Sequence, residues 1–372
     1  MEKQHSNNGT IYGLQYMRGI AALMVVLFHL KERLPPHIAP FLDNGRGGVD
    51  IFFIISGFII YFITQNSDEL NPKTFFEKRA YRILPLYWSI FIISTLLFFE
   101  SLDFNSIARG FFLMHRDYQS PSPEFNISVV GVAWTLTYEF YFYAIFLVCS
   151  LISKRYRGML TSITLLSLPV ILQIYFNGKF SLSSTTSAQV QGNGFISQFM
   201  HILSNTMIYE FVLGIALCSA YLHFRKKNTP IIVWRMLFVL VTILSFSIFF
   251  HDVKLWFGMH ARHVGNISNA FGFSGFMYMA LPFVLMFIFY ELSRFKTIIT
   301  PLVFLGDISY SLYLCHWFVN RLFTDYIPDF NGTNSFLVIL ALSLLMAYVC
   351  HLYIEKPGVK LIRRKHNRPA LS

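Results

Sequence analysis

The 372-residue chain is 55% hydrophobic and 18% aromatic, with only 13% charged residues and a mean hydropathy of +0.51. A soluble domain carries about 25% charged residues, so roughly half the usual charge is missing and a soluble domain is excluded. The net charge of +11 sits in loops between apolar runs, which excludes a nucleic-acid surface. These features predict an all-α, polytopic membrane protein with about ten transmembrane helices.

The first predicted span, Leu14–Leu34, carries two ionisable residues, Arg18 and His29. Eleven residues at ~1.5 Å and ~100° each give ~16 Å of rise and about three turns, so both lie on one face. Ionisable groups inside a span are costly and normally face a cavity or a partner. Arg18 either serves such a cavity or snorkels to lipid phosphates, and His29 is either reactive or a satisfied interior histidine. The run is too long for a signal-peptide core and no small-residue cleavage site follows it, so it is expected to remain as a membrane helix.

The second span, Gly48–Gln65, begins after Gly47 and carries Asp50 near its start, where it can bind substrate or cap the helix. The basic stretch Lys78-Arg79-Ala-Tyr-Arg82 leads into the third span, Ile83–Phe99. Arg79 and Arg82 are one turn apart and suit a bidentate phosphate clamp, or else simply anchor the inner face. A run from Ile107 to Met114 is too short to span and is expected to be re-entrant.

The fourth span, Gly131–Ile152, opens Trp134-Thr-Leu-Thr-Tyr-Glu139-Phe-Tyr-Phe-Tyr143. Glu139 lies about two turns in, at a depth that resembles that of His29. An acid–imidazole dyad is therefore expected, with the carboxylate fixing the tautomer of His29; the alternative is a structural pair with Arg or His. The tyrosines around Glu139 are expected to pack.

Further spans are expected at Met159–Phe176, His201–Phe224, Ile232–Phe250 and Phe271–Leu292. His251, His260 and His263, in the loop before Phe271, match no metal-ligand spacing, so no metal site is expected. The ninth span, Pro301–Phe323, holds Ser309, Tyr310, Tyr313 and His316. Ser309, Tyr313 and His316 fall four and three apart and form one stripe, either lining a substrate cavity or bonding between helices. The tenth is Ser335–Ile354. Cys149, Cys218, Cys315 and Cys350 all fall inside spans and are read as packing residues.

Lys and Arg cluster in alternate loops: Lys73 to Arg82, Lys154 to Arg157, Arg225 to Lys227, Arg294 and Lys296, then the tail from Lys356 to Arg368. By the positive-inside rule both termini are cytoplasmic. No linker divides the chain, so residues 1–372 form one membrane domain, with spans over 14–354 and a basic cytoplasmic tail over 355–372.

Six segments together resemble the acyltransferase-3 family of bacterial membrane acyltransferases. They are Arg18 through His29, Gly47-Gly48-Val-Asp50 through Ser56-Gly57-Phe58, Arg79-Ala-Tyr-Arg82-Ile-Leu-Pro85, Trp134 through Glu139, Ser309 through His316, and Glu355-Lys-Pro357, in family order. The departure is at His316, where Trp317 and Phe318 stand in place of the family's frequent proline. The resemblance implies a ten-helix bundle in the bacterial inner membrane. It implies transfer of an acyl group, commonly acetyl, from cytoplasmic acyl-CoA to a hydroxyl of a surface polysaccharide or lipid-linked glycan. It makes His29 the catalytic histidine, with Arg18, Arg79 and Arg82 serving the donor. Glu139 is expected to orient His29, and Asp50, Ser309, Tyr310, Tyr313 and His316 to meet the substrate. Some relatives carry a further extracytoplasmic esterase-like domain; with the chain ending soon after Pro357, the membrane domain is expected to act alone or with a separate partner. The partners expected are acyl-CoA, the glycan acceptor and membrane lipid, with no nucleic acid.

Two other classes remain open from the residues themselves. A polyprenyl-linked glycosyltransferase would show acidic metal ligands in outer loops, whereas Asp103, Asp117 and Glu124 are scattered. A transporter would show internal repeats and helices broken at mid-membrane.

Overall fold

The computed structural model describes residues 11–65, 71–98, 103–126, 129–192, 194–250, 271–275, 277–295 and 297–366, the side chains of 250, 274 and 363–366 excepted. His251, His260 and His263 lie outside the described residues, as does Lys296. Fourteen α-helices and no strand occur among the described residues: α1 (Tyr12–Leu30), α2 (Gly48–Thr64), α3 (Pro72–Phe98), α4 (Phe104–Phe111), α5 (Trp134–Ile152), α6 (Arg157–Asn177), α7 (Phe195–Ser204), α8 (Tyr209–Arg225), α9 (Ile231–Phe250), α10 (Met277–Leu292), α11 (Thr300–Asp307), α12 (Ser309–Tyr326), α13 (Thr333–Cys350) and α14 (Lys356–His366). In hydrocarbon every backbone N–H and C=O must find its partner within the segment, and the helix is the local solution to that demand.

Among the described residues, eight helical segments are long and apolar enough to cross a membrane, and α11 with α12 makes a ninth as a pair bent by 66°. The 16-residue α10 occupies the position expected for the remaining span and rises ~24 Å. All ten expected positions therefore hold helix, but three differ in detail. α3 starts at Pro72, so Arg79 and Arg82 stand on its first turns rather than in a loop before it. The expected span from His201 to Phe224 is broken at Asn205, whose side chain accepts the backbone N–H of Met207 at 2.9 Å and starts a new turn. The expected span from Pro301 to Phe323 is broken at Ile308. Of the run Ile107–Met114, residues 107–111 form the end of α4 and 112–114 follow it; the helix is started by Asp103, whose side chain accepts the N–H of Ser106.

Helices α1 and α2 form the centre. Ala21, Ala22, Val26, Ile54 and Ile60 are fully buried, while Met236, Leu240 and Ile243 of α9 face outward. Glycine allows the closest approaches. A Cβ on Gly19 of α1 would lie 2.7 Å from the backbone N of Gly306 in α11, and one on Gly214 of α8 would lie 2.8 Å from the N of Phe58 in α2. Small residues at such crossings let backbones meet directly, which is how helices associate without a hydrophobic driving force.

Candidate active site

Arg18 and His29 occupy one face of α1, as their spacing requires, and both reach α12. Arg18 Nη2 donates to Ser309 Oγ at 2.9 Å, and His29 Nδ1 lies 3.2 Å from His316 Nε2. Because the lower residue of α1 meets the lower residue of α12 and the upper meets the upper, the two helices run parallel. The site therefore has two levels, about 16 Å apart along α1.

The lower level is a cavity of about 80 Å³. Three guanidiniums, those of Arg18, Arg79 and Arg82, line it against one carboxylate, Glu139. The carboxylate accepts from Ser56 Oγ at 3.0 Å and from the Tyr143 hydroxyl. The Arg79 guanidinium stacks over the Tyr143 ring, 5.4 Å from its centroid. Tyr310 donates to the Ile83 carbonyl at 2.7 Å and so fixes the wall between α12 and α3. A surplus of fixed guanidinium in a mostly apolar wall suits a polyanion with an acyl arm, since planar forks hold phosphate oxygens in pairs.

Tyr313 lines the cavity, and its hydroxyl donates to the Val132 carbonyl at 2.9 Å and pairs with Thr135 Oγ1 at 3.0 Å. Phe52 packs edge-on against the same ring at 5.6 Å. His316 lies on the other side, with its ring centroid 6.1 Å from that of Tyr313.

Hydrogen-bond partners fix the protons of the upper level. His316 Nδ1 faces the Leu312 carbonyl at 3.0 Å, and a carbonyl only accepts, so Nδ1 carries the hydrogen and Nε2 of the neutral ring accepts. His29 Nδ1 faces both that Nε2 and the Val25 carbonyl at 2.9 Å, so it too carries the hydrogen. His29 Nε2 is left with its lone pair. An imidazole in this state can take a proton or attack an acyl carbon.

Several expected placements change. No hydrogen bond joins Glu139 to His29 among the described residues; equal depth fixed height but not azimuth, and α5 turns Glu139 toward Ser56 and Arg79. The partner of His29 is His316, expected on the substrate surface. Asp50 is fully buried and does not line the cavity. It accepts the Gly272 N–H at 2.5 Å and so ties α2 to the segment before α10. Of the stripe Ser309, Tyr313 and His316, the first two line the cavity together with Tyr310, while His316 does not.

Ser56 and Tyr143, which hold Glu139, were read as motif and packing residues. The closing Glu355 accepts from Ser311 Oγ at 2.8 Å and faces His351 Nδ1 at 2.9 Å, on the far side of α12. Its signal was an acid at the end of an apolar run. Among the described residues no group of His, Cys, Asp and Glu is placed to hold a metal ion.

A family model described as an acyltransferase domain matches residues 11–354. The chain belongs to the acyltransferase-3 family. It is similar to the O-acetyltransferase OatA of Staphylococcus aureus strains NCTC 8325 / PS 47, COL and MRSA252, 25% identical over 395 residues in each. The match covers 98% of this chain and 59% of each relative, so the chain spans about three-fifths of the length of those curated relatives. No solved structure matches at a significant level. The matched range takes in both levels of the site, from Arg18 to His316.

Proposed function

We propose that this acyltransferase moves an acyl group, acetyl in the first instance, from acyl-CoA to a hydroxyl of a surface polysaccharide or lipid-linked glycan. The observation that carries the reading is the two-level site: a guanidinium-lined cavity that ends one helical turn below an imidazole with a free Nε2. Arg79 and Arg82 hold donor phosphates, with Arg18 in the same cavity held by Ser309. The thioester passes Tyr313 and reaches His29.

There His29 Nε2 removes the proton of the acceptor hydroxyl. The alkoxide attacks the thioester carbon, the C–S bond breaks, and the thiolate leaves and takes up the proton as free CoA. In the covalent variant Nε2 attacks first and the acyl-imidazole is then opened by the acceptor. Trapping of an acyl-histidine under single turnover distinguishes the variants. The names of the OatA relatives support acetyl as donor group and oxygen as acceptor. The charge asymmetry supports an inner-membrane protein with both termini in the cytoplasm and donor entry at the Arg79–Arg82 end.

The test is the O-acetyl content of surface polysaccharide, read by NMR in a deletion strain complemented with wild type or His29→Ala. Loss on deletion, rescue by wild type and no rescue by an equally abundant His29→Ala protein is the expected result. Unchanged acetylation in all three strains would overturn the assignment.

A further inference from the structure

Two buried acids take no part in the transfer proposed above. Asp50, on the first turn of α2, and Glu210, on the first turn of α8, are both fully buried. Their carboxyl groups meet within hydrogen-bond reach of each other. Asp50 Oδ1 accepts the Gly272 N–H at 2.5 Å, and Glu210 presses on the same glycine, where a Cβ would lie 3.2 Å from Oε1. Gly272 holds a φ of +70°, which a side chain would strain. Three segments far apart in sequence thus close on one pair of acids.

No cation balances that pair. Neither acid forms an ion pair among the described residues. The Arg46 guanidinium, whose charge reaches Asp50, is bound to Glu124 at 2.7 Å and stacks over Phe271, 4.4 Å from its centroid. The Tyr138 hydroxyl of α5 donates to the Pro123 carbonyl at 3.3 Å. As ionised groups both acids could only accept, which leaves Asp50 Oδ2 and both Glu210 oxygens without a partner. Two bare carboxylates side by side and out of water would carry a desolvation cost and mutual repulsion together. A single hydrogen between them removes the repulsion and supplies the missing bond. Asp50 already accepts from Gly272, whereas Glu210 accepts from nothing, so the hydrogen belongs on Glu210.

We propose that Asp50 and Glu210 share one proton as an acid–carboxylate pair, the Glu210 O–H donating to Asp50 Oδ2, and that this bond latches α2, α8 and residues 271–275 together. The latch ends an apolar seam between the two helices, where Phe211, next to Glu210, packs on Phe53 at 5.0 Å. It does not depend on acyl transfer, since the protonation state is read without turnover.

The test is infrared spectroscopy of the full chain in lipid at neutral pH, in H₂O and in D₂O, with thermal midpoints measured on the same samples. The spectrum of wild type minus Glu210→Gln is expected to hold a protonated-carboxyl C=O stretch that moves to lower frequency in D₂O. Asp50→Asn should keep that stretch at a changed frequency, because the acceptor becomes an amide; it gives a second reading should Glu210→Gln prove unstable. Glutamine can donate as the protonated acid does, so Glu210→Gln should melt close to wild type, while Glu210→Ala, which leaves Asp50 Oδ2 unpaired, should melt several degrees lower. A wild-type spectrum with no stretch sensitive to either substitution would overturn the proposal, as would equal loss of stability in the Gln and Ala variants. Sodium or calcium chloride raising the midpoint of wild type but not of Glu210→Gln would assign the pair to a metal cation in place of the proton and overturn it as well.

Discussion

His29 and His316 are both neutral in their bonding pattern, and the order of their hydrogen bonds, from His29 Nδ1 to His316 Nε2 and from His316 Nδ1 to the Leu312 carbonyl, sets which nitrogen reacts. Replacing His29 with Ala removes the proton acceptor, and positioned acid–base groups contribute about 10²- to 10⁴-fold; kcat should fall by that order. His316→Ala leaves Val25 O as the remaining partner of Nδ1, so kcat should fall about tenfold with donor KM little changed. The arginines should behave in the opposite way. Arg79→Lys keeps the charge but loses the fork and the stacking on Tyr143, so donor KM should rise with kcat changed less. Steady-state kinetics on acyl-CoA in reconstituted protein separates these outcomes. Glu139→Gln belongs with the arginines: it should alter donor KM and leave the acid limb of the kcat–pH profile in place. A displaced limb would return Glu139 to the partnership with His29 expected from depth alone.

At the scale of elements, the glycine crossings and the buried segment after α4 make separate predictions. Gly19→Val would press its side chain into the backbone of Leu305 and Gly306. Overpacking of this kind costs about 1–3 kcal/mol, so thermal stability in detergent should fall, while a substitution of outward-facing Leu240 should leave it near wild type. The segment after α4 is held by Arg109, whose Nε and Nη2 both donate to the His115 carbonyl at 2.9 and 2.7 Å. Burial, with Arg109 beside it, pushes the His115 imidazole down to about 3. A histidine with a lowered folded-state value contributes stability above its unfolded value near 6.5 and loses it as pH falls toward 3. Hydrogen exchange across residues 104–126 should therefore quicken between pH 7 and pH 5. A rate for that segment unaffected by pH, after correction for intrinsic exchange, would remove His115 as its pin.

For the whole molecule, the apolar runs made the ten helical positions legible because a ~30 Å core demands about twenty residues from any helix that crosses it. The spacing of Arg18 with His29, and of Ser309 with Tyr313 and His316, placed each set on one face for the same geometric reason. What periodicity lacks is azimuth between helices. It therefore missed the turn of Glu139 toward Arg79 and the meeting of His29 with His316, which depend on how α5 and α12 rotate in the bundle. The breaks at Asn205 and Ile308 did leave a signal, the polar runs Ser204-Asn205-Thr206 and Gly306-Asp307-Ile308-Ser309, which a reading by mean hydropathy over about twenty residues averages away. Orientation rests on the distribution of Lys and Arg. Single-cysteine labelling in intact cells should find Lys227→Cys shielded from an impermeant reagent and Lys179→Cys reached by it; the reverse pattern would invert the donor and acceptor sides.

The parallel contact of α1 with α12 makes the interval from position 18 to position 29 a ruler. One residue inserted there would swing His29 by ~100° away from His316 while Arg18 stayed on Ser309. One residue removed would do the same in the opposite sense. Outer loops can lengthen freely as acceptors change, but this stretch tolerates neither gain nor loss. Its count of residues is then as much a part of the chemistry as the side chains at its two ends, and indel scanning should find it as a silent zone between permissive loops.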